Sequence, residues 1–215
     1  WTKLASSIEV AIRMLDNVVD INFYPTAEAK NSNLQHRPIG LGMMGLHDVL
    51  HILDIPFDSE EAVEFNDKLF EFYSYHAILA SSKLAAERGA YASYKGSLWD
   101  QEIFPIDTYK SLMSYRGSSL ANASETKDWS ECREHVRKYG MRNSNVMAIA
   151  PTATIGYING VEQSVEPNFS TLFVYENKSG NFYITNEHFV NDMKKEGLWT
   201  PEVIKMIKEA DGDVE

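Results

Sequence analysis

From Asp58 to Gly89 the sequence reads as a single helix, and a rod of that length constrains everything packed around it. Asp58 suits the N-cap, and Glu61 completes a capping-box pattern in which Asp stands for the usual Ser or Thr. Gly89 suits the C-cap, which ends the helix near Arg88. About 30 residues at 1.5 Å each make a helix about 45 Å long. Phe65, Phe70, Phe72, Tyr73 and Tyr75 fall on more than one of its faces, so they are read as core or inter-helix packing.

Other elements alternate around this rod. Leu4, Ile8, Ala11, Ile12, Leu15, Val18 and Val19 recur at helical spacing, with Lys3, Glu9, Arg13 and Asp16 between them, which predicts an amphipathic helix. Phe23 to Gln35 is polar, contains Pro25 and reads as a connection. Pro38 to Gly42 reads as a short strand, followed by a helix from about Met43 to Leu53. Asp107 suits the cap of a short helix to Tyr115, and Trp129 to Tyr139 reads as a charged helix stopped by Gly140. Residues 117–128 have the composition of a mobile surface loop. Thr171 to Tyr175 reads as a strand, Asn177 to Gly180 as a turn, and Asn186 caps a helix that Gly197 ends. Thr200-Pro201 starts another helix, with Thr as N-cap and Pro at the first helical position. Strands alternating with helices indicate the α/β class, and no internal boundary divides residues 1–215, so one domain is expected.

Met141 to Gly160, MRNSNVMAIAPTATIGYING, carries the most chemical information. Val146 to Ala150 is a short apolar run that reads as a buried strand. Pro151 follows, favoured at a first helical position, then Thr152, Thr154 and a short helical segment ending at Gly160. The first N–H groups of a helix lack internal partners and sit at the positive end of its dipole. A phosphate placed there would meet the N–H groups of Ala153, Thr154 and Ile155 together with the threonine hydroxyls. The same pattern also describes an ordinary capped helix after a buried strand.

Two other motifs compete. Gly40-Leu-Gly42-Met-Met-Gly45 matches G-x-G-x-x-G, but Pro38 cuts the preceding strand short, and Asp58 and Glu60 are already explained by helix capping. Close packing of a strand backbone explains those glycines without a dinucleotide. His47-Asp-Val-Leu-His51 places two imidazoles on one helix face, near the zinc pattern H-E-x-x-H. Asp48 is a methylene shorter than the required Glu and no third ligand follows, so the histidines are read as packed against a neighbour or solvated.

Composition narrows the functional classes. A net charge of −11 argues against a nucleic-acid surface, though not against a nucleotide held by local N–H groups. No apolar run is long enough to span a bilayer, and no signal-peptide pattern opens the chain. A single cysteine excludes an internal disulfide framework and suggests a reducing, cytoplasmic setting.

MRNSNVMAIAPTATI is very similar to the substrate-phosphate loop of the class I ribonucleotide reductase large subunit. Further segments resemble that family in its own order: Leu4–Asn22, RPIGLGMMGLHDVL (Arg37–Leu50), Ile55–Tyr91, KGSLWD (Lys95–Asp100), Val161–Phe182 and EGLW (Glu196–Trp199). The resemblance covers nearly the whole chain except Gly117 to Trp129. It implies a fold that is part of a ten-stranded α/β barrel, here contributing strands of the second half with long helices outside them. It implies reduction of ribonucleoside diphosphates to deoxyribonucleotides, with Thr152, Ala153 and Thr154 holding the diphosphate and Ile155 donating a backbone N–H. Gly156 stands where relatives often have Ser.

The family's chemistry needs a radical cysteine in an Asn-x-Cys-x-Glu context, a redox cysteine pair, and a tail with two tyrosines and further cysteines. Cys132, in WSECREHVRKYG, matches none of these. The resemblance therefore implies no catalytic residue, metal or cofactor in this chain, which would be a piece of the barrel that is inactive alone and unstable, oligomeric or completed by another chain. The remainder of the large subunit, a metal-containing small subunit that supplies the radical, and a thioredoxin-type reductant would be its partners. Two alternatives stay open: a cobalamin-dependent class II reductase, which usually carries Pro-Thr-Gly-Thr at the loop, and a non-catalytic split or decayed barrel half serving in assembly.

Overall fold

A computed structural model describes residues 1–117 and 126–213. These comprise α1 (Thr2–Ile21), α2 (Ala27–His36), α3 (Leu46–Ile52), α4 (Glu60–Arg88), α5 (Pro105–Arg116), α6 (Ser130–Tyr139), α7 (Ala153–Asn159), β1 (Leu172–Asn177), β2 (Gly180–Thr185), α8 (Glu187–Lys195) and α9 (Pro201–Glu209). They form two compact units: Trp1–Gly42 with Val63–Ile149, and Met43–Ala62 with the chain from Ala150 onward.

In the first unit α1 buries the stripe Ile8, Ile12, Asp16 and Val19, and α4 buries Ala77, Ile78, Leu84 and Ala85. Phe104, Trp129, Cys132, Val136 and Met141 are part of the same core. The long helix ends at Arg88, and Gly89 follows at φ +86°, as the sequence predicts. Its start differs. Ser59, not Asp58, caps it, its hydroxyl accepting the Ala62 N–H at 3.1 Å. Asp107 also shifts role: it is the third residue of α5, its carboxylate accepting the Phe104 N–H at 2.9 Å, with Pro105 at the first position.

The segment 27–36, read as connection, is a helix. Thr26 caps it by accepting the Ala29 N–H at 3.2 Å, and Arg37 closes it in the left-handed conformation. α2 buries no residue, so it carries no hydrophobic period to read, and capping is its main local signal.

Asp16 is the larger correction. It is fully buried on the apolar stripe of α1, where the sequence suggests a solvated position. Arg37 reaches its carboxylate at 2.7 Å, Arg88 at 2.9 Å and Arg142 at 3.3 Å, while Asn143 donates from Nδ2 at 3.1 Å. Arg37 also pairs with Asp20 at 2.7 Å. Burial alone would raise the Asp16 carboxyl, but the Arg37 hydrogen bonds and the surrounding guanidinium charge hold it below the usual range.

Strand content is lower than expected. Val146–Ala150 does not form a full strand; Leu41 and Met147 make one parallel bridge, with the Leu41 N–H donating to the Val146 carbonyl at 2.9 Å and the Ala148 N–H to the Leu41 carbonyl at 3.2 Å. In the second unit β1 and β2 form an antiparallel hairpin, with Leu172 opposite Thr185 and Asn177 opposite Gly180, so the predicted turn is in place. Asn186 and Thr200 cap α8 and α9 as expected, accepting from Phe189 at 2.9 Å and Val203 at 3.4 Å. No closed barrel forms among the described residues.

Of the loop expected at 117–128, residues 118–125 lie outside the described residues. Its far end is tied down. Glu71, on α4 and nearly buried, accepts the Thr126 N–H at 2.9 Å, the Lys127 N–H at 3.1 Å, Trp129 Nε1 at 3.2 Å and the Thr126 hydroxyl. Burial would raise this carboxyl, but those donors hold it below its usual range.

Candidate functional site

The loop singled out in the sequence is consecutive and accessible. Thr152 occupies the N-cap position of α7, Ala153 opens the helix, and Gly160 ends it at φ +66°. Pro151 therefore precedes the cap instead of taking the first helical position. Ala153, Thr154 and Ile155 are exposed, Ile155 by 54%. The Gly156 N–H donates to the Thr152 carbonyl at 2.7 Å, closing the first turn, so the three N–H groups before it have no partner along the helix.

The Thr152 hydroxyl does not cap its own helix. Its oxygen accepts the Ser164 N–H at 2.7 Å. Gly156 is buried, and a Cβ there would stand 3.0 Å from the Val161 carbonyl oxygen. The segment that follows α7 is thus folded tightly back on it, and a Ser at Gly156 would have to displace that carbonyl.

The glycine motif serves close packing. A Cβ on Gly40 would lie 2.9 Å from the Ala148 Cβ, and one on Gly42 would lie 3.0 Å from the Ala148 carbonyl oxygen. Gly45 takes φ +78° at the N-cap of α3. No cradle for a pyrophosphate is needed to explain any of the three.

The histidine pair of α3 faces α8. His51 stacks on His188 with ring centroids 5.4 Å apart, and His47 lies 4.4 Å from His51. The Asn168 N–H donates to His47 Nδ1 at 2.8 Å, which requires that nitrogen to be bare. Burial, then the His51 charge, pushes the His47 pKa below the ordinary imidazole value; burial and His188 do the same to His51. Asp48 does not act as a metal-site base: its Oδ2 accepts the Glu162 N–H at 2.7 Å, and its Oδ1 lies 3.5 Å from His188 Nε2. Among the described residues no group of three or more His, Cys, Asp or Glu is arranged to hold a metal ion.

Cys132 is fully buried on α6, and burial pushes its thiol up to about 12. A thiol in that state is a packing residue, not a nucleophile. His76 packs against Phe72 at 4.2 Å and Tyr75 at 5.2 Å on α4, in keeping with a packing histidine. No helix among the described residues is long and apolar enough to cross a membrane.

The family model described as ribonucleotide reductase, barrel domain, matches residues 1–215. The chain is 53% identical over 214 residues to the ribonucleoside-diphosphate reductase subunit alpha of Chlamydia pneumoniae, covering 99% of this chain and 20% of that protein. It is 36% identical over 215 residues to the ribonucleoside-diphosphate reductase large subunit of Caenorhabditis elegans, covering 100% of this chain and 26% of that protein. The large subunit of Arabidopsis thaliana is likewise 36% identical, over 214 residues, with 25% of its length covered. The chain thus spans a fifth to a quarter of the length of these relatives.

Proposed function

We propose a substrate-holding role in ribonucleotide reduction for this chain, which belongs to the ribonucleotide reductase barrel-domain family. In this reading the chain works as part of a class I large subunit that reduces ribonucleoside diphosphates. The loop Thr152 to Ile155 binds the substrate diphosphate through the N–H groups of Ala153, Thr154 and Ile155 and the hydroxyls of Thr152 and Thr154. The observation that carries the reading is the match over the whole chain combined with an exposed helix start whose N–H groups are unpaired along the helix. Ala153, where class II relatives usually carry Gly, favours the diphosphate-reducing class I.

The one cysteine is sequestered, so the radical thiol and the reducing dithiol come from outside these residues. The radical source is a separate metal-containing small subunit, and electrons come from a thioredoxin-type reductant. The bridge between residues 41 and 147 belongs to the second half of a ten-stranded barrel whose other strands lie elsewhere in the large subunit. The chain by itself makes no deoxynucleotide.

The test is titration of a large subunit carrying these residues with a ribonucleoside diphosphate. Each charge-assisted hydrogen bond to phosphate contributes about 1.5–3 kcal/mol. Thr152→Val or Thr154→Val should therefore weaken binding about tenfold to a hundredfold. Ala153→Asp should weaken it further by placing a negative charge beside the diphosphate. Unchanged affinity in all three, with folding intact, would leave the loop as a capped helix only. Deoxynucleotide formation by the purified 215-residue chain with small subunit and reductant would defeat the assignment of the radical chemistry to other residues.

A further inference from the structure

The Thr152 hydroxyl is held by a backbone amide that is itself held in an unusual conformation. Ser164, whose N–H donates to Thr152 Oγ1 at 2.7 Å, is 3% exposed and sits at φ +47°. A non-glycine residue rarely adopts that conformation, and it persists where the surroundings over-determine it. The surroundings here are specific. The Val161 N–H donates to the Gly156 carbonyl at 3.1 Å. Glu162 is gripped on both sides of its backbone: its N–H donates to Asp48 Oδ2 at 2.7 Å, and its carbonyl accepts the Gly45 N–H at 2.8 Å. Its side chain accepts from Asn168 Nδ2 at 2.5 Å, and Asn168 in turn donates its N–H to His47. The first turn of α3 thereby fixes the segment that presents Ser164 to Thr152.

A hydroxyl has one proton and two acceptor lone pairs. With the Ser164 N–H occupying one lone pair, the Thr152 proton must be donated to some other acceptor. We infer that Asp48 is a positioning residue for anion binding at Thr152: it holds the Glu162 amide, which sets the turn at 161–164, which orients the Thr152 hydroxyl as a donor toward a substrate phosphate oxygen. The inference rests on the loop Thr152 to Ile155 being the diphosphate site. It gives a function to the acidic residue within His47-Asp-Val-Leu-His51 that needs no metal. The role calls for an oxygen acceptor at position 48, not for a charge. Asp48→Asn, whose carboxamide oxygen still accepts the Glu162 N–H, should preserve it, and Asp48→Val should not.

The experiment uses the full-length large subunit with its small subunit and reductant, and a ribonucleoside diphosphate as the probe. Asp48→Val should raise KM about tenfold, the loss expected when one charge-assisted hydrogen bond is misaligned, with kcat within about twofold of wild type. Asp48→Asn should return KM to within about twofold of wild type. In a Thr152→Val background, Asp48→Val should add nothing, because the hydroxyl it orients is gone. If Thr152→Val raises KM but Asp48→Val does not, the positioning role is overturned while the loop reading stands. If Thr152→Val itself changes nothing, the loop reading fails and this inference falls with it. A drop in kcat without a rise in KM, or additive effects in the double variant, would also overturn the role of Asp48. Should Asp48→Val fail to fold, Asp48→Asn decides, because a tenfold rise in its KM contradicts a requirement for an oxygen alone.

Discussion

Replacing Asp16 by Asn should cost the first unit much of its stability, although the side chain barely changes shape. The carboxylate is fully buried and is approached by Arg37, Arg88 and Arg142. Removing one partner from a buried pair costs about 3–5 kcal/mol, because the remaining charge stays desolvated and unpaired. Two features place the expected loss at the lower end. Arg37 keeps Asp20, and the Arg88 and Arg142 side chains are 26% and 14% exposed, so water can reach them. The prediction for Asp16→Asn is therefore about 3 kcal/mol, read as a urea midpoint lower by about 1–3 M at the slopes usual for small domains. Glu87→Gln is the control: it breaks the exposed Arg13–Glu87 pair at 2.6 Å and should leave the midpoint nearly in place, despite the shorter distance.

The pH dependence gives a second reading of the same group. The folded Asp16 pKa lies below the unfolded value. Its contribution is therefore fully present above the unfolded carboxylate pKa of about 3.9 and is lost as pH falls below that through the folded value. The gap between wild type and Asp16→Asn should be constant near neutrality and close in strongly acid solution. A midpoint shift equal to that of Glu87→Gln, or a gap that does not narrow in acid, would refute the account of Asp16 as a charged keystone.

Gly40→Ala should destabilise the paired segments around residues 41 and 147 by about 1–3 kcal/mol, since its Cβ would stand 2.9 Å from that of Ala148; thermal unfolding checks this. Cys132 should resist alkylation in the native protein at pH 8, because the thiol is buried and pushed up to about 12, and react once urea is added; in a full-length large subunit, Cys132→Ser should leave activity nearly unchanged. The folded His47 pKa is lowered, so its stabilising effect is complete above the unfolded imidazole value of about 6.5 and declines as pH falls below it. His47→Asn, which keeps an acceptor for the Asn168 N–H without a titrating ring, should flatten that decline in unfolding measured from pH 7.5 to 5.

The sequence makes legible what local chemistry enforces. Both ends of α8, the start of α9, the stop of α4 at Gly89 and the hairpin turn each follow from one or two residues with fixed backbone demands. α2 was illegible because it buries nothing and so leaves no apolar period. Asp16 is hard to place from sequence for the opposite reason. Helical spacing puts it on the stripe of Ile8, Ile12 and Val19, but a charge on such a stripe reads as solvated unless its partners are known. Those partners lie 21, 72 and 126 residues away, at Arg37, Arg88 and Arg142. Neither the Asp48–Glu162 bond, across 114 residues, nor the Ser164 amide on Thr152 has a signature in its own neighbourhood.

The sequence motifs and the structure meet most closely at Arg37 to Asp48. Its glycines match a dinucleotide pattern and His47 opens a zinc-like one, and contacts with neighbouring backbone groups account for the glycines, His47 and Asp48. Gly40 and Gly42 let one segment lie against Ala148, and Gly45 adopts a left-handed turn that lets its N–H reach the Glu162 carbonyl. Asp48, one turn further on, takes the Glu162 N–H. The two contacts hold the backbone of one residue from both sides, so position 162 tolerates little displacement. Conversely, a ligand that orders Thr152 should protect the amides of Ser164 and Glu162 from hydrogen exchange, because they lie on one hydrogen-bonded path. Adding inorganic pyrophosphate to the full-length protein should slow exchange at both amides together. Slowing at Ser164 alone would mean that the path ends at the loop and that α3 holds its segment independently of whatever binds there.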